Sequence, residues 1–210
     1  MTPLSSRTPV GVDLLSQTPP ESDALYPTSM EGLWACQRSI TSIEGDVYQA
    51  QQVWRALGGS SFDDTAKQET FVTRFVPQQK HHVILDRGFE LKSRNPDIFK
   101  YNVKDLNQIA YSTLDSSKTI ELVVVRRVVE PPTDQGFGVQ ELIRIQDGPT
   151  LRAALVKRRY RRSFDDQQNR IVEGIELVKT FRVLDGIAGT EYPTSVIKSQ
   201  IRLTRPKGES

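Results

Sequence analysis

The sequence predicts a mainly β protein: an antiparallel barrel of about eight to ten strands, with one short helix and an extended N-terminal arm. Three observations carry this. From Gly32-Leu33-Trp34 onward the chain alternates, so that Trp34, Cys36 and Ile40 share one side of a strand. Strand-like runs then follow one another, each closed by Gly, Pro, Asn or Asp. One stretch, after Asp46, has the spacing of an amphipathic helix. Eight to ten strands is the size at which a sheet closes around a filled or ligand-sized interior.

Taken in order, residues 1–25 are rich in Pro, Ser and Thr, with Pro3, Pro9, Pro19 and Pro20 as punctuation. They read as an extended or disordered arm. The alternative is an arm docked on the barrel through Val12, Leu14 and Leu15. The barrel spans 26–205. Asp46 caps a helix carrying Val47, Ala50, Val53, Trp54 and Leu57, and Gly58-Gly59 ends it. A polar loop covers Ser60–Lys67.

Gln68–Val76 places Phe71, Thr73 and Phe75 on one side. His81–Phe89 reads as a strand with Val83, Leu85 and Phe89 together, and Asn95-Pro96 breaks the chain. Leu106–Leu114 and the β-branched Lys118–Glu130 follow, the latter stopped by Pro131-Pro132. Gly136 and Gly138 turn into Val139–Gln146, and Asp147-Gly148-Pro149 is a further turn. Leu151–Phe164 and Arg170–Leu184 form a long hairpin. Ser195–Arg205 closes the barrel with Ile197, Ile201 and Leu203 inward, and Pro206–Ser210 frays. Ser-Phe-Asp-Asp occurs at 61–64 and at 163–166, as two loops of similar chemistry.

A formal net charge of +2 implies no polyanion, and no nucleic-acid partner is expected. Cys36 is the single cysteine, which excludes an intramolecular disulfide and a Cys-based metal site. No apolar run approaches the roughly 20 residues of a spanning helix. Met1–Arg7 lack the apolar centre of a secretory signal, so the expectation is a protein soluble where it is made or one stripped of a presequence. His81 and His82 are adjacent and face opposite sides of a strand, and Gly-x-Ser-x-Gly does not occur. Gly58-Gly59-Ser60-Ser61 and Gly136-Phe137-Gly138 read as turns, not phosphate loops. Cys36 reads as a core thiol, with a nucleophile or thioether acceptor as the alternative. These features argue for no catalysis, no metal and no cofactor.

The densest charge is Lys157-Arg158-Arg159-Tyr160-Arg161-Arg162. Alternation puts Lys157, Arg159 and Arg161 in an outer row, paired with acids such as Glu176 or serving as a docking patch for an acidic protein or lipid headgroup. With the proline-rich arm, this basic strand also suits a structural or assembly subunit docking on a larger complex. Arg158 and Arg162 share the parity of Val156, Tyr160 and Phe164. Arg38, Arg87 and Arg158 all lie on the apolar parity of their strands. A buried guanidinium without a partner costs several kcal/mol. Each is therefore paired internally, with Glu69, Glu121, Glu141 and Glu173 available, or it meets an anionic ligand. In the second reading these arginines hold the acid group of a lipid or tetrapyrrole, while Trp34, Phe71, Phe75 and Tyr160 line the rest.

The Gly32-x-Trp34 opening and a late arginine resemble the lipocalin and calycin superfamily. The resemblance implies a Trp at the barrel floor covered by an Arg, here Arg205, while Arg202 points outward. Tyr26-Pro27, Met30-Glu31-Gly32-Leu33-Trp34 and Asp86-Arg87-Gly88-Phe89 are similar to an uncharacterised cyanobacterial and plastid family associated with thylakoids. That likeness covers about residues 25–205. It implies a soluble or peripheral thylakoid protein and a photosynthetic complex as partner, and supplies no catalytic residues. Trp34-Ala-Cys-Gln-Arg38 is similar to the first strand of the S-type bilin lyase, which implies a lyase-like chaperone as a further alternative.

Overall fold

The computed structural model describes residues 11–62, 68–79, 81–105, 107–114 and 119–206. Parts of the arm, of the 60–67 loop with the first Ser-Phe-Asp-Asp copy, and of the tail lie outside them, as do Leu106 and Lys118. Within the described residues the chain is mainly β, a curled antiparallel half-barrel with two helices.

The arm contributes β1 (Gly11–Asp13) and β2 (Tyr26–Pro27). A short 3-10 turn, Thr28–Met30, leads into β3 (Gly32–Gly45), then α1 (Val47–Ala56), β4 (Glu69–Gln79) and β5 (His82–Leu85). Next come α2 (Arg87–Arg94), β6 (Ile98–Asp105), β7 (Gln108–Thr113), β8 (Thr119–Thr133) and β9 (Gly136–Asp147). β10 (Thr150–Phe164), β11 (Arg170–Leu184) and β12 (Ile187–Thr204) complete the chain. The sheet runs β2-β5-β4-β3-β12-β11-β10-β9-β8-β7-β6, with β1 added alongside β12.

The first core is anchored by the Gly-x-Trp. Gly32 sits at φ +94°, and the Arg205 guanidinium occupies the space a β-carbon there would need. Arg205 lies 4.0 Å from the centre of the Trp34 ring, the cover expected from the sequence. Trp34 Nε1 donates to the Met30 carbonyl at 2.7 Å. Around it pack Tyr26, Cys36, Phe71, Phe75, Phe137, Tyr160, Ile201 and Leu203. Tyr160 lies across the partner strand at Gly174, whose missing side chain makes room for the ring.

Alternation has one interruption in β3. Lys198 pairs with Ser42 but Ser199 pairs with Ile40, so Thr41 bulges. Ile40 and Ile43 therefore both reach the core formed by α1. Asp46 caps α1 by accepting from Gln49 N–H, and Ala50, Val53 and Trp54 pack onto Val124, Ile143, Val156, Val178 and Ile197.

The second helix corrects the sequence reading. The predicted strand His81–Phe89 ends at Leu85, because Asp86 turns the chain and caps α2 through Phe89 N–H. Glu90 in its first turn and Lys92 and Arg94 in its last complement the helix dipole. α2 lies against β4 and β6, and so covers the space between the two sides of the half-barrel. The Val72 N–H, on the edge of β4, donates to Ser93 Oγ at 2.7 Å. Arm residues 20–27 fill the rest of that gap. Asn107 Nδ2 donates to the Pro20 carbonyl, and Tyr26-Pro27 pair with β5.

The described part of the arm is docked. Val12 and Leu14 pack with Val123, Val125, Leu142, Phe181 and Ala188, whose parity is opposite to that of the α1 core, so they cover the outer face of the sheet. Leu15, expected in that contact, is 63% exposed. Truncating a buried leucine removes about 2–5 kcal/mol. Leu14→Ala is expected to lower the urea midpoint by a loss in that range, and Leu15→Ala by no more than about 0.5 kcal/mol. Equal effects in the two variants would show that the arm does not dock this way.

Candidate functional site

The inward arginines meet in two ion clusters beneath the helices. In the first, Arg38 is wedged between Glu69 on β4 and Glu176 on β11, with Nε to Glu69 Oε2 at 2.7 Å and Nη1 to Glu176 Oε1 at 3.0 Å. Arg158 donates from Nε to the other Glu176 oxygen at 2.6 Å. Its guanidinium also lies 3.4 Å from Glu90, which Arg94 pairs at 2.6 Å and Thr73 bonds through its hydroxyl at 2.6 Å. Arg38 is 2% exposed and stacks 4.0 Å from the centre of the Trp54 ring.

In the second cluster, Arg87 makes a two-pronged contact with Glu141, at 2.9 and 2.7 Å, and a third bond to Asp23 of the arm at 2.7 Å. Arg127 pairs the same two carboxylates, at 2.7 Å to Glu141 and 3.2 Å to Asp23. Across both clusters Arg38, Arg87, Arg94, Arg127 and Arg158 face Asp23, Glu69, Glu90, Glu141 and Glu176: five cations against five anions.

Burial alone would raise the Glu176 carboxyl, but Arg158, Arg38 and Arg94 outweigh it and hold the group well below the carboxylate range. Glu141 is likewise raised by burial and pulled down by Arg87 and Arg127, to about 2. Both are ionised partners, not proton carriers at neutral pH. Cys36 lies in the Trp34 core, where burial pushes its thiol up to about 12, so it behaves as a core thiol. His81 and His82 are both exposed. Among the described residues no group of three His, Cys, Asp or Glu side chains is placed to hold a metal ion.

The seven residues expected to form one ligand site are divided. Arg38, Arg87 and Arg158 line a cavity of about 90 Å³ between the helices and the sheet, together with Arg94, Trp54 and apolar side chains such as Leu57, Ile109 and Val124. Phe71, Phe75 and Tyr160 border a separate void of about 10 Å³. Trp34 borders neither of these spaces.

Two carboxylates exchange the roles the sequence suggested. Glu176 is inside, directly opposite Arg158, and Glu173 is outside, paired with Arg161 at 2.8 Å. Glu121 accepts from Gln108 and lies 4.0 Å from Arg144, apart from both clusters. Arg162 donates to Ser29 Oγ, and Phe164 is exposed at the strand end. Asp23, Glu90, Arg94 and Arg127 join the clusters without having been singled out in the sequence.

The larger concavity is on the outer face. A groove of about 700 Å³ crosses β10, β11, β12 and β3 and is lined by Arg159, Arg161, Arg202, Glu173, Ile175, Gln37 and Gln200, among others. Lys157 and Arg159 share Glu130 at 3.2 and 3.7 Å, in an exposed arrangement.

A family model described as "Domain of unknown function (DUF6816)" matches residues 20–207, a span that takes in Asp23 and both clusters. No curated protein and no solved structure matches the chain. No helix among the described residues is long and apolar enough to cross a membrane.

Removing one partner of a buried cluster leaves an uncompensated charge, at about 3–5 kcal/mol. Glu176→Gln is expected to cost that much in urea unfolding, against about 0–1 kcal/mol for the exposed Arg161→Ala. The sign of the pH dependence follows from Glu141. Its folded value of about 2 lies below the unfolded 4.5, so its contribution is complete above the unfolded value and is lost as pH falls toward the folded one. Urea midpoints are expected to fall steeply between those two values, and less steeply in Glu141→Gln. Parallel slopes for the two proteins would remove Glu141 from the account.

Proposed function

The chain belongs to the DUF6816 family, and from that premise we propose a non-catalytic docking subunit that attaches to a larger assembly by the outer face of β10–β12. The observation that carries the reading is the contrast between the two sides of the sheet. Inside, five guanidiniums are neutralised by five carboxylates, and the cavity of about 90 Å³ is well short of the few hundred Å³ of a ligand pocket. Among the described residues, a lipid or tetrapyrrole acid group would find no cation on the cavity wall without a carboxylate already beside it. Outside, the groove reaches ligand-pocket dimensions, and its lining sets three arginines against one carboxylate.

The thylakoid setting, soluble or peripheral, and a photosynthetic complex as the assembly rest on the resemblance of the Tyr26–Trp34 and Asp86–Phe89 segments. Binding of a lipid or tetrapyrrole inside the barrel is the competing reading, supported by the arginines at the cavity wall.

Two measurements separate them. Tagged full-length protein is expected to migrate with a larger assembly at low salt and to be released as salt is raised, because exposed charge pairs are screened. The triple variant Arg159→Gln, Arg161→Gln, Arg202→Gln removes the charges without setting a new carboxylate opposite Glu173. It is expected to run free, with a melting temperature that moves by no more than an exposed pair's worth of stability, about 0–1 kcal/mol. In parallel, thermal shift and native mass measurements against fatty acids, chlorophyll derivatives and bilins are expected to show no stabilisation and no retained mass. A triple variant that stays associated would sink the docking reading. A retained lipid or pigment would replace it with the competing one.

A further inference from the structure

The strand register orders the outer groove in a way the lining alone does not show. Arg161 on β10 pairs with Glu173 on β11, Glu173 with Arg202 on β12, and Arg202 with Gln37 on β3. The next outward row, two residues along, runs Arg159, Ile175, Gln200 and Ser39. The groove is therefore built on two adjacent rows, each crossing four strands. Arg161 and Arg202 are separated by two strand spacings, about 10 Å at roughly 4.8 Å each. Glu173 between them is engaged by Arg161. Arg202 makes no ion pair within bonding distance among the described residues. Glu173, its partner across β11, is held by Arg161, and the Asp165 carboxylate, which also feels the Arg202 charge, is occupied by the Gln167 and Asn169 amides. The second row places Ile175, 59% exposed, beside this pair.

We propose, building on the docking reading above, that the groove takes an extended acidic peptide segment of a protein partner, laid across the strands. In an extended segment of polyproline II form, with three residues per turn and about 3.1 Å rise each, side chains three residues apart share a face and lie roughly 9–10 Å apart, the spacing of Arg161 and Arg202. The recognised segment thus carries two carboxylates at that interval and an apolar residue between them to cover Ile175. Gln37 and Gln200 supply amide donors and acceptors for its main chain. A small amphipathic ligand fits less well, because Ile175 is the one apolar side chain among the two rows. Arginine suits this recognition, since its planar fork meets a carboxylate in two parallel bonds.

The test is fluorescence anisotropy of the full chain with a labelled short peptide carrying two glutamates at that spacing and a leucine between them. Binding is expected to weaken about tenfold or more in Arg202→Glu, the effect of losing one charge-assisted contact. It is also expected to weaken when the glutamates become glutamines or are moved next to each other. Ile175→Ser is expected to weaken the leucine peptide and to leave one with serine at that position unchanged. Circular dichroism melts on these surface variants confirm that they fold. Binding that ignores glutamate spacing would overturn the inference, as would absent peptide binding or preference for phosphatidylglycerol vesicles. If the peptide fails while the triple charge variant still leaves its assembly, the acidic-segment inference falls and the docking reading stands. If the triple variant stays bound to the assembly, the docking reading itself is lost.

Discussion

The structure depends on one electrostatic constraint: a guanidinium taken out of water must be met by a carboxylate in the same low-dielectric space. Several kcal/mol per ion are at stake when that condition fails, and breaking a buried pair costs about 3–5 kcal/mol. The half-barrel meets it by drawing partners from distant parts of the chain. Arg38 on β3 is held by β4 and β11, Arg158 by β11 and α2, and Arg87 by β9 and the arm. The arm and α2 lie over the gap between the two sides of the sheet and carry Asp23, Glu90 and Arg94. Closure of the fold and neutralisation of its interior are thus one event.

This coupling explains why the interior is poorly suited to a tightly held anion. A buried ion cluster is fixed by geometry, and four of the five carboxylates each already satisfy two arginines, while Glu69 holds Arg38 and Ser60. Glu176 bridges Arg38 and Arg158, and Glu141 bridges Arg87 and Arg127. An incoming acid group would have to displace one of these carboxylates and leave it unpaired. The apolar wall at Leu57, Ile109 and Val124 belongs to the packing of α1 and α2 on the sheet, in a space far below that of a fatty acyl chain or a tetrapyrrole.

Much of this was legible in the sequence, because a strand's period of two sorts its residues by face. The inward parity of Trp34, Arg38, Phe71, Phe75, Arg158 and Tyr160 follows from that period, as does the choice of Arg205 over Arg202 for the cover of Trp34, a cover that the family resemblance and not the period implied. The misplacements have physical causes. On β11, Val172, Val178 and Thr180 share one side with Glu176, while Ile171, Ile175 and Leu177 share the other with Glu173. Apolar residues on both faces leave alternation with no preferred side, so the two glutamates could be exchanged. Arg127 comes inward because the register shifts between Val124 and Arg126, a bulge that leaves no mark in composition. Arg94 and Glu90 were hidden by reading Asp86–Phe89 as strand, although Asp86 as a cap, Glu90 in the first turn and Asn95-Pro96 beyond form a helix signature. Asp23 sits in a proline-rich stretch whose composition suggests disorder. Its order comes from tertiary charge pairing that no local pattern records.

The basic run of β10 shows how one strand serves two ends. Its even positions, Val156, Arg158 and Tyr160, are committed to the inside, where charge must balance and volume must fill. Its odd positions, Lys157, Arg159 and Arg161, are committed to water, where a cation excess is tolerated because solvent screens it. The same residue type therefore has opposite consequences one position apart. A change at Arg158 acts on folding, through Glu176 and Glu90, whereas a change at Arg159 or Arg161 acts on the charge of the outer face. Because β-sheet geometry separates these roles by parity alone, surface recognition can change along this strand without disturbing the interior. With the two inner clusters balanced charge for charge, the outer row of β10 is the part of this strand whose electrostatics are free to vary.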